Sequence, residues 1–382
     1  MIFKLSNLRW ALLFACLCML ALGLSDNIRG PLFPELIRFF QLTNAEASLS
    51  FALASAAAFF GTVASTYMLR TLQLNRLMWI SMLLMTLGLA ILGVSPSYSF
   101  FMLGTVVFGF ALGTTAVSQN LLITENVDSK FQSRALSGLH GVYGFSSLIA
   151  PWLASRAPGW FAGDWRNAFF VTAGIAAAVM LLILTTRPAS EFHQVKHEVT
   201  PKLKGHYNLR LWLGGFFACY VGAEILVSTR LALYMRTYFE MDLAQSSNYV
   251  SYFFAFLLLG RLIFTFKSFN YPRRTQLNAF LLFSLASLVL GLSVHPFFLS
   301  LVGFTMAPFY PLAIVYISDI TGAQKRNYLT FVMGVQGLCV ISMHVGVGYI
   351  TDAFGLFYAF GIGIFLLLVA LGCLNFHPRN VT

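Results

Sequence analysis

Residues 24–36 read LSDNIRGPLFPEL, placing an acid, Asp26, and a base, Arg29, in a run that has carried no charge since Trp10. Three residues apart on a helix, the two share a face and can pair. Gly30, Pro31 and Pro34 follow at once; they would distort the helix just beyond the pair and free backbone groups. Two readings fit, a structural ion pair or charged groups turned toward a polar solute.

A second acid of this kind is Glu224, in CYVGAEILVSTR at 219–230. Tyr220, Glu224 and Ser228 are four apart and share a face, while Arg230 points elsewhere. A carboxylate taken out of water accepts a proton more readily, chemistry suited to carrying one. The alternative is a structural carboxylate satisfied by its neighbours. Further polar positions interrupt apolar sequence: Gln119 and Asn120 at the end of GFALGTTAVSQN, His140 and Tyr143 in GLHGVYG, Tyr310 in MAPFYP, and Gln336 in MGVQG with His344 two turns later. Each alone reads as readily as an interhelical hydrogen bond as a ligand contact. Arg29, Gln119, Asn120, His140, Tyr143, Tyr220, Ser228, Tyr310 and Gln336 form the candidate solute-binding set, and Asp26 and Glu224 are the candidate proton carriers.

The elements that must position these residues follow from composition. Of 382 residues, 58% are hydrophobic and only 10% charged, against about 25% charged in soluble domains. Apolar runs of about 20 residues recur, the length that crosses a hydrocarbon core. The chain reads as an integral membrane protein, all α. Lys4 and Arg9 precede the first run, but no small-x-small cleavage site follows it, so it reads as a retained helix rather than a signal peptide. Cys16, Cys18, Cys219, Cys339 and Cys373 all fall inside apolar runs without metal-ligand spacing; neither disulfides nor a bound metal are expected.

Twelve spans are predicted, near 9–38, 45–68, 76–95, 98–124, 136–156, 166–186, 210–236, 246–267, 276–294, 297–318, 327–349 and 355–376. The one long polar stretch, 187–209, separates a six-helix bundle at 1–186 from another at 210–382. With both termini cytoplasmic, eighteen of the 24 Lys and Arg fall on that side, leaving only Arg29, Arg38, Arg156, Arg166, Arg230 and Arg236. This positive-inside bias explains the net charge of +11 without nucleic acid. The expected location is a bacterial inner membrane.

The halves resemble each other. FFQLTNAEAS at 39–48 aligns with YFEMDLAQSS at 238–247 at an offset of 199, which also carries Gly61 onto Gly260. HGVYG at 140–144 lies over MGVQG at 333–337 at an offset of 193, so Gln336 is the counterpart of Tyr143. A six-span unit used twice in parallel is the arrangement of major facilitator transporters, which hold solute near the midplane.

Several stretches carry a closer resemblance. YVGAE at 220–224 resembles the signature of the fucose/galactose/glucose–proton symporter family, as do NYVSYFFAFLLLGRL at 248–262, FTMAPFYP at 304–311 and PELIRFFQLTN at 34–44. The resemblance implies a major facilitator fold and proton-coupled sugar symport. Three departures stand out. The family's span-one Asn-Asp is matched by Ser25-Asp26 only with an inserted residue, Ala116 stands where some members carry an acid, and His140 and Tyr143 stand where amides are expected. The loop motif common to major facilitators keeps Gly61 and Arg70 but no Asp.

The function expected is therefore a secondary active transporter moving a small polar solute by alternating access, with protons as the coupling ion. The alternatives are an exporter or uniporter of a non-sugar solute, or a solute receptor on the same fold. No H-E-x-x-H, G-x-S-x-G or nucleotide-binding motif occurs, so neither an enzyme nor a cofactor is expected. The expected partners are solute, protons and membrane lipid, with the chain a monomer.

Overall fold

The computed structural model describes residues 7–160, 164–185, 207–266 and 270–376. The described residues form fourteen α-helices and no strand. They are α1 (Asn7–Asn27), α2 (Arg29–Phe40), α3 (Asn44–Met68), α4 (Leu74–Val94), α5 (Tyr98–Asn126), α6 (Ser129–Arg156) and α7 (Asn167–Thr185). After the connector come α8 (Tyr207–Phe239), α9 (Leu243–Phe266), α10 (Arg273–Ser293), α11 (Phe297–Met306), α12 (Phe309–Thr321), α13 (Lys325–Phe354) and α14 (Leu356–Phe376). Eleven stretches are long and apolar enough to cross a membrane, with α1–α2 and α11–α12 each counting as one. The twelfth long helix, α6, is more polar, carrying Gln132, Arg134, His140 and Tyr143. Helices are the natural solution for such a chain, because within lipid each backbone N–H and C=O must find its partner internally.

The helix of the first span is interrupted where Pro31, lacking an N–H, cannot bond the carbonyl of Asn27. The interruption falls at Ile28, between α1 and α2. Pro31 then sits in the first turn of α2, where an N–H would lack a helical partner in any case. Pro34 lies inside α2 and cannot donate to the carbonyl of Gly30.

The internal repeat extends to individual backbone groups. Gln41 and Glu240, 199 apart, both adopt left-handed φ, 53° and 52°, where their helices end. Two residues on, each chain enters the next helix through a reciprocal capping box. Thr43 N–H donates to Glu46 Oε2 at 2.8 Å while Glu46 N–H donates to Thr43 Oγ1 at 3.2 Å. At the same offset, Asp242 N–H donates to Gln245 Oε1 at 3.2 Å and Gln245 N–H to Asp242 Oδ1 at 2.7 Å. Helix packing repeats too. A Cβ on Gly109 would lie 2.4 Å from the carbonyl oxygen of Ala54, and one on Gly303 would lie 2.2 Å from that of Phe253. Gly61 against the Phe110 carbonyl is matched by Gly260 against that of Phe304. In both halves small residues let two helix backbones approach to where no side chain fits.

The chain divides into two compact units. The first comprises residues 1–40 and 53–197, the second 41–52 and 198–382. Most of the connector expected at 187–209 lies outside the described residues, with α8 beginning at Tyr207. The grouping of 41–52 with the second unit has a local cause. A Cβ on Gly348 of α13 would fall 2.8 Å from the Cα of Ala45, so only glycine allows the start of α3 to lie so close.

Candidate functional site

Each unit carries its own polar cluster, and the two are built alike: an acid, an arginine and a tyrosine, held on the first span of that half and its neighbours.

In the first unit, Asp26 at the end of α1 pairs with Arg29, the first residue of α2, across the interruption at Ile28. Arg29 also lies over the Phe108 ring of α5, 5.2 Å from its centre, a favourable place for a guanidinium. Tyr143 of α6 donates its hydroxyl hydrogen toward Asp26 Oδ2 at 3.4 Å. Asn27 ties α1 to α6: its Nδ2 donates to the carbonyl of Gly23 at 2.8 Å and to Ser147 Oγ at 3.0 Å, and lies 3.2 Å from Tyr143 Oη. Of the polar positions singled out in sequence, Asp26, Arg29 and Tyr143 therefore meet.

Gln119 is buried on α5, and its Nε2 contacts Met19 Sδ of α1 at 3.3 Å. Its Oε1 is buried without a hydrogen bond, as is the hydroxyl of Thr115 one turn away. Asn120 instead donates to the Ala116 carbonyl of its own helix at 2.8 Å. His140 is exposed on α6, one turn before Tyr143.

In the second unit, Glu224 and Tyr220 are hydrogen-bonded along one face of α8, as their spacing requires. Arg261 of α9 lies 3.8 Å from Glu224 Oε1. The break between α11 and α12, at Ala307 and Pro308, brings the Met306 carbonyl to Tyr220, whose hydroxyl lies 2.7 Å from it. Phe309, just past the break, stacks on the Tyr220 ring with centres 3.8 Å apart. Tyr310 packs against Phe217 of α8, with ring centres 5.0 Å apart, and its hydroxyl contacts Met333 Sδ at 3.9 Å. Gln336 is half-buried on α13, its Oε1 inaccessible and without a hydrogen bond. Ser228 bonds back to the Ile225 carbonyl at 3.1 Å, within α8.

Sequence reasoning missed Asn27, Ser147, Arg261 and the Met306 carbonyl. Asn27 was visible as the polar neighbour of Asp26. Arg261 reads in sequence as one more cytoplasmic charge, since nothing ties it to an acid 37 residues earlier. A backbone carbonyl has no sequence signal at all beyond the nearby prolines.

Residues 15–343 match the Major Facilitator Superfamily. The chain belongs to that family. It is a multi-pass integral membrane transporter of the major facilitator fold rather than an enzyme. It is similar to the protein TsgA homolog of Yersinia pseudotuberculosis, 21% identical over 377 residues and 92% of each chain. Among solved structures, a bacterial homolog of the human lysosomal transporter Spinster superposes with a TM-score of 0.77 at 11% identity, over 97% of each chain. A D-xylose–proton symporter gives 0.77 at 14%, covering 96% of this chain and 97% of the other. The major facilitator transporter FucP gives 0.65 at 17%, covering 98% and 100%. At these identities the likeness establishes the shared fold.

Proposed function

We propose that this major facilitator protein is a proton-coupled secondary transporter of a small, neutral, hydroxyl-bearing solute, working by alternating access. The observation that carries the reading is the pair of acid–arginine–tyrosine clusters, Asp26–Arg29–Tyr143 and Glu224–Arg261–Tyr220, one in each repeat. Ionisable groups inside membrane spans are costly and mark solute or ion pathways. Each acid has an arginine to face the charge that appears when its proton leaves. The tyrosines and the amides of Gln119, Asn120 and Gln336, with His140, Ser228 and Tyr310, offer the hydrogen bonds that hydroxyl groups use. The resemblance to sugar–proton symporters, and structural neighbours named for D-xylose and fucose, support a sugar-like solute. We place the protein in a bacterial inner membrane as a monomer, both termini cytoplasmic, with solute, protons and lipid as its partners and no cofactor or nucleic acid.

The test is reconstitution in liposomes containing a trapped pH-sensitive dye. D-xylose, L-fucose and uridine are added in turn. Internal acidification driven by one of them supports the reading. Counterflow of a labelled solute with no proton movement would leave a uniporter, and the proton coupling would be wrong.

A further inference from the structure

The two clusters differ in what their tyrosine hydroxyls face. Tyr220 is fully buried, and its hydroxyl oxygen touches two acceptors, the Met306 carbonyl and the Glu224 carboxyl. A phenol has one hydrogen to donate, and a carbonyl can only accept. Met306 is itself fully buried, beside the α11–α12 break, where an unpaired carbonyl is costly. If the Tyr220 hydrogen serves Met306, then the hydrogen between Tyr220 and Glu224 must come from Glu224.

The first unit has the opposite polarity. The Gly23 carbonyl can only accept, so the atom of Asn27 facing it is the amide nitrogen, which fixes the orientation of that side chain. Ser147 gives its hydrogen to the Tyr143 carbonyl at 2.8 Å, so its oxygen accepts from Asn27. With both amide hydrogens of Asn27 so used, Tyr143, whose oxygen lies 3.2 Å from the same nitrogen, directs its own hydrogen toward Asp26 Oδ2. Asp26 thus receives hydrogens from Tyr143 and from its ion pair with Arg29, and no contact there asks it for one of its own.

We propose that Glu224 is the proton carrier, holding its proton in this arrangement, while Asp26 is a standing carboxylate paired with Arg29. The assignment rests on the proton-coupled reading for its role in transport. When Glu224 releases its proton to water at its exposed edge, the Tyr220 hydrogen turns from Met306 to the new carboxylate. Arg261, 3.8 Å away, faces the charge that appears. The Met306 carbonyl then loses the Tyr220 hydrogen beside the α11–α12 break. Proton loss is thereby tied to backbone hydrogen bonding where that span is broken.

The experiment uses the purified wild-type protein at neutral pH and a hydrophobic carbodiimide, which adds to protonated carboxyls in apolar surroundings. Adducts are mapped by mass spectrometry. The expected result is an adduct on the peptide containing Glu224, at least tenfold above that on the peptide containing Asp26. Equal or greater labelling of Asp26, or no adduct on Glu224, would overturn the assignment. Infrared spectra give a second measure. The protonated-carboxyl band is expected to weaken in Glu224→Gln and to persist in Asp26→Asn, and the reverse would also overturn it. Neither readout needs transport. An unlabelled Glu224 in a protein that still moves protons with solute defeats the assignment alone. A labelled Glu224 in a protein that moves no protons defeats the coupling reading instead.

Discussion

Asp352 Oδ2 accepts the backbone N–H of Ala45 at 2.8 Å, while its Oδ1 accepts both the backbone and side-chain N–H of Asn44 at 2.9 Å. With the Thr43–Glu46 capping box, this satisfies four successive N–H groups where α3 begins, a place where a helix has no partners of its own. Removing a helix cap costs about 1 kcal/mol. Asp352→Ala is expected to lower the thermal unfolding midpoint of the purified protein, and Asp352→Asn to lower it less. An unchanged midpoint in Asp352→Ala would show that the cap contributes nothing.

Gly113 and Gly138 should respond in opposite ways. A Cβ on Gly113 would lie 2.0 Å from the carbonyl oxygen of Ala58, whereas one on Gly138 meets nothing within 4 Å. Gly113→Val must push α5 off α3, and overpacking costs roughly 1–3 kcal/mol or more. Gly138→Ala gains helix propensity of about 0.5–1 kcal/mol. Folded yield in detergent, followed by size-exclusion chromatography, should fall sharply for the first and hold or rise for the second.

Arg29→Ala leaves the half-buried Asp26 carboxylate without its ion-pair partner. Breaking a buried pair from one side costs several kcal/mol, and less where water reaches it; about 2 kcal/mol is expected here. Asp26→Asn combined with Arg29→Gln should recover part of the loss, a coupling measurable by a double-mutant cycle on thermal stability. If Arg29→Ala instead leaves stability intact but weakens solute binding, its role is recognition.

Glu224→Gln should abolish proton-driven accumulation while sparing solute exchange, because the amide keeps the side chain's shape but has no proton to release. Asp26→Asn should leave accumulation largely in place. Normal accumulation by Glu224→Gln under a proton gradient would exclude Glu224 as carrier.

The sequence by itself determined the class and the outline of the fold. Sustained apolar runs leave the backbone no option but helices within lipid, so the twelve spans could be read directly. The repeat was legible because Gln41 and Glu240, and the boxes Thr43–Glu46 and Asp242–Gln245, are local devices whose residues lie within a few positions of one another. Asp26–Arg29 and Tyr220–Glu224 were legible for the same reason, since helical periodicity alone places three- and four-residue neighbours on one face. What only the tertiary structure decided is which distant groups reach these pairs. Tyr143 arrives 117 residues after Asp26, Arg261 comes from a different helix than Glu224, and the Met306 carbonyl is offered only because a helix breaks beside Pro308. Donor and acceptor balance at each acid depends on those long-range partners, and so the difference between Asp26 and Glu224 could not be read from their flanking residues.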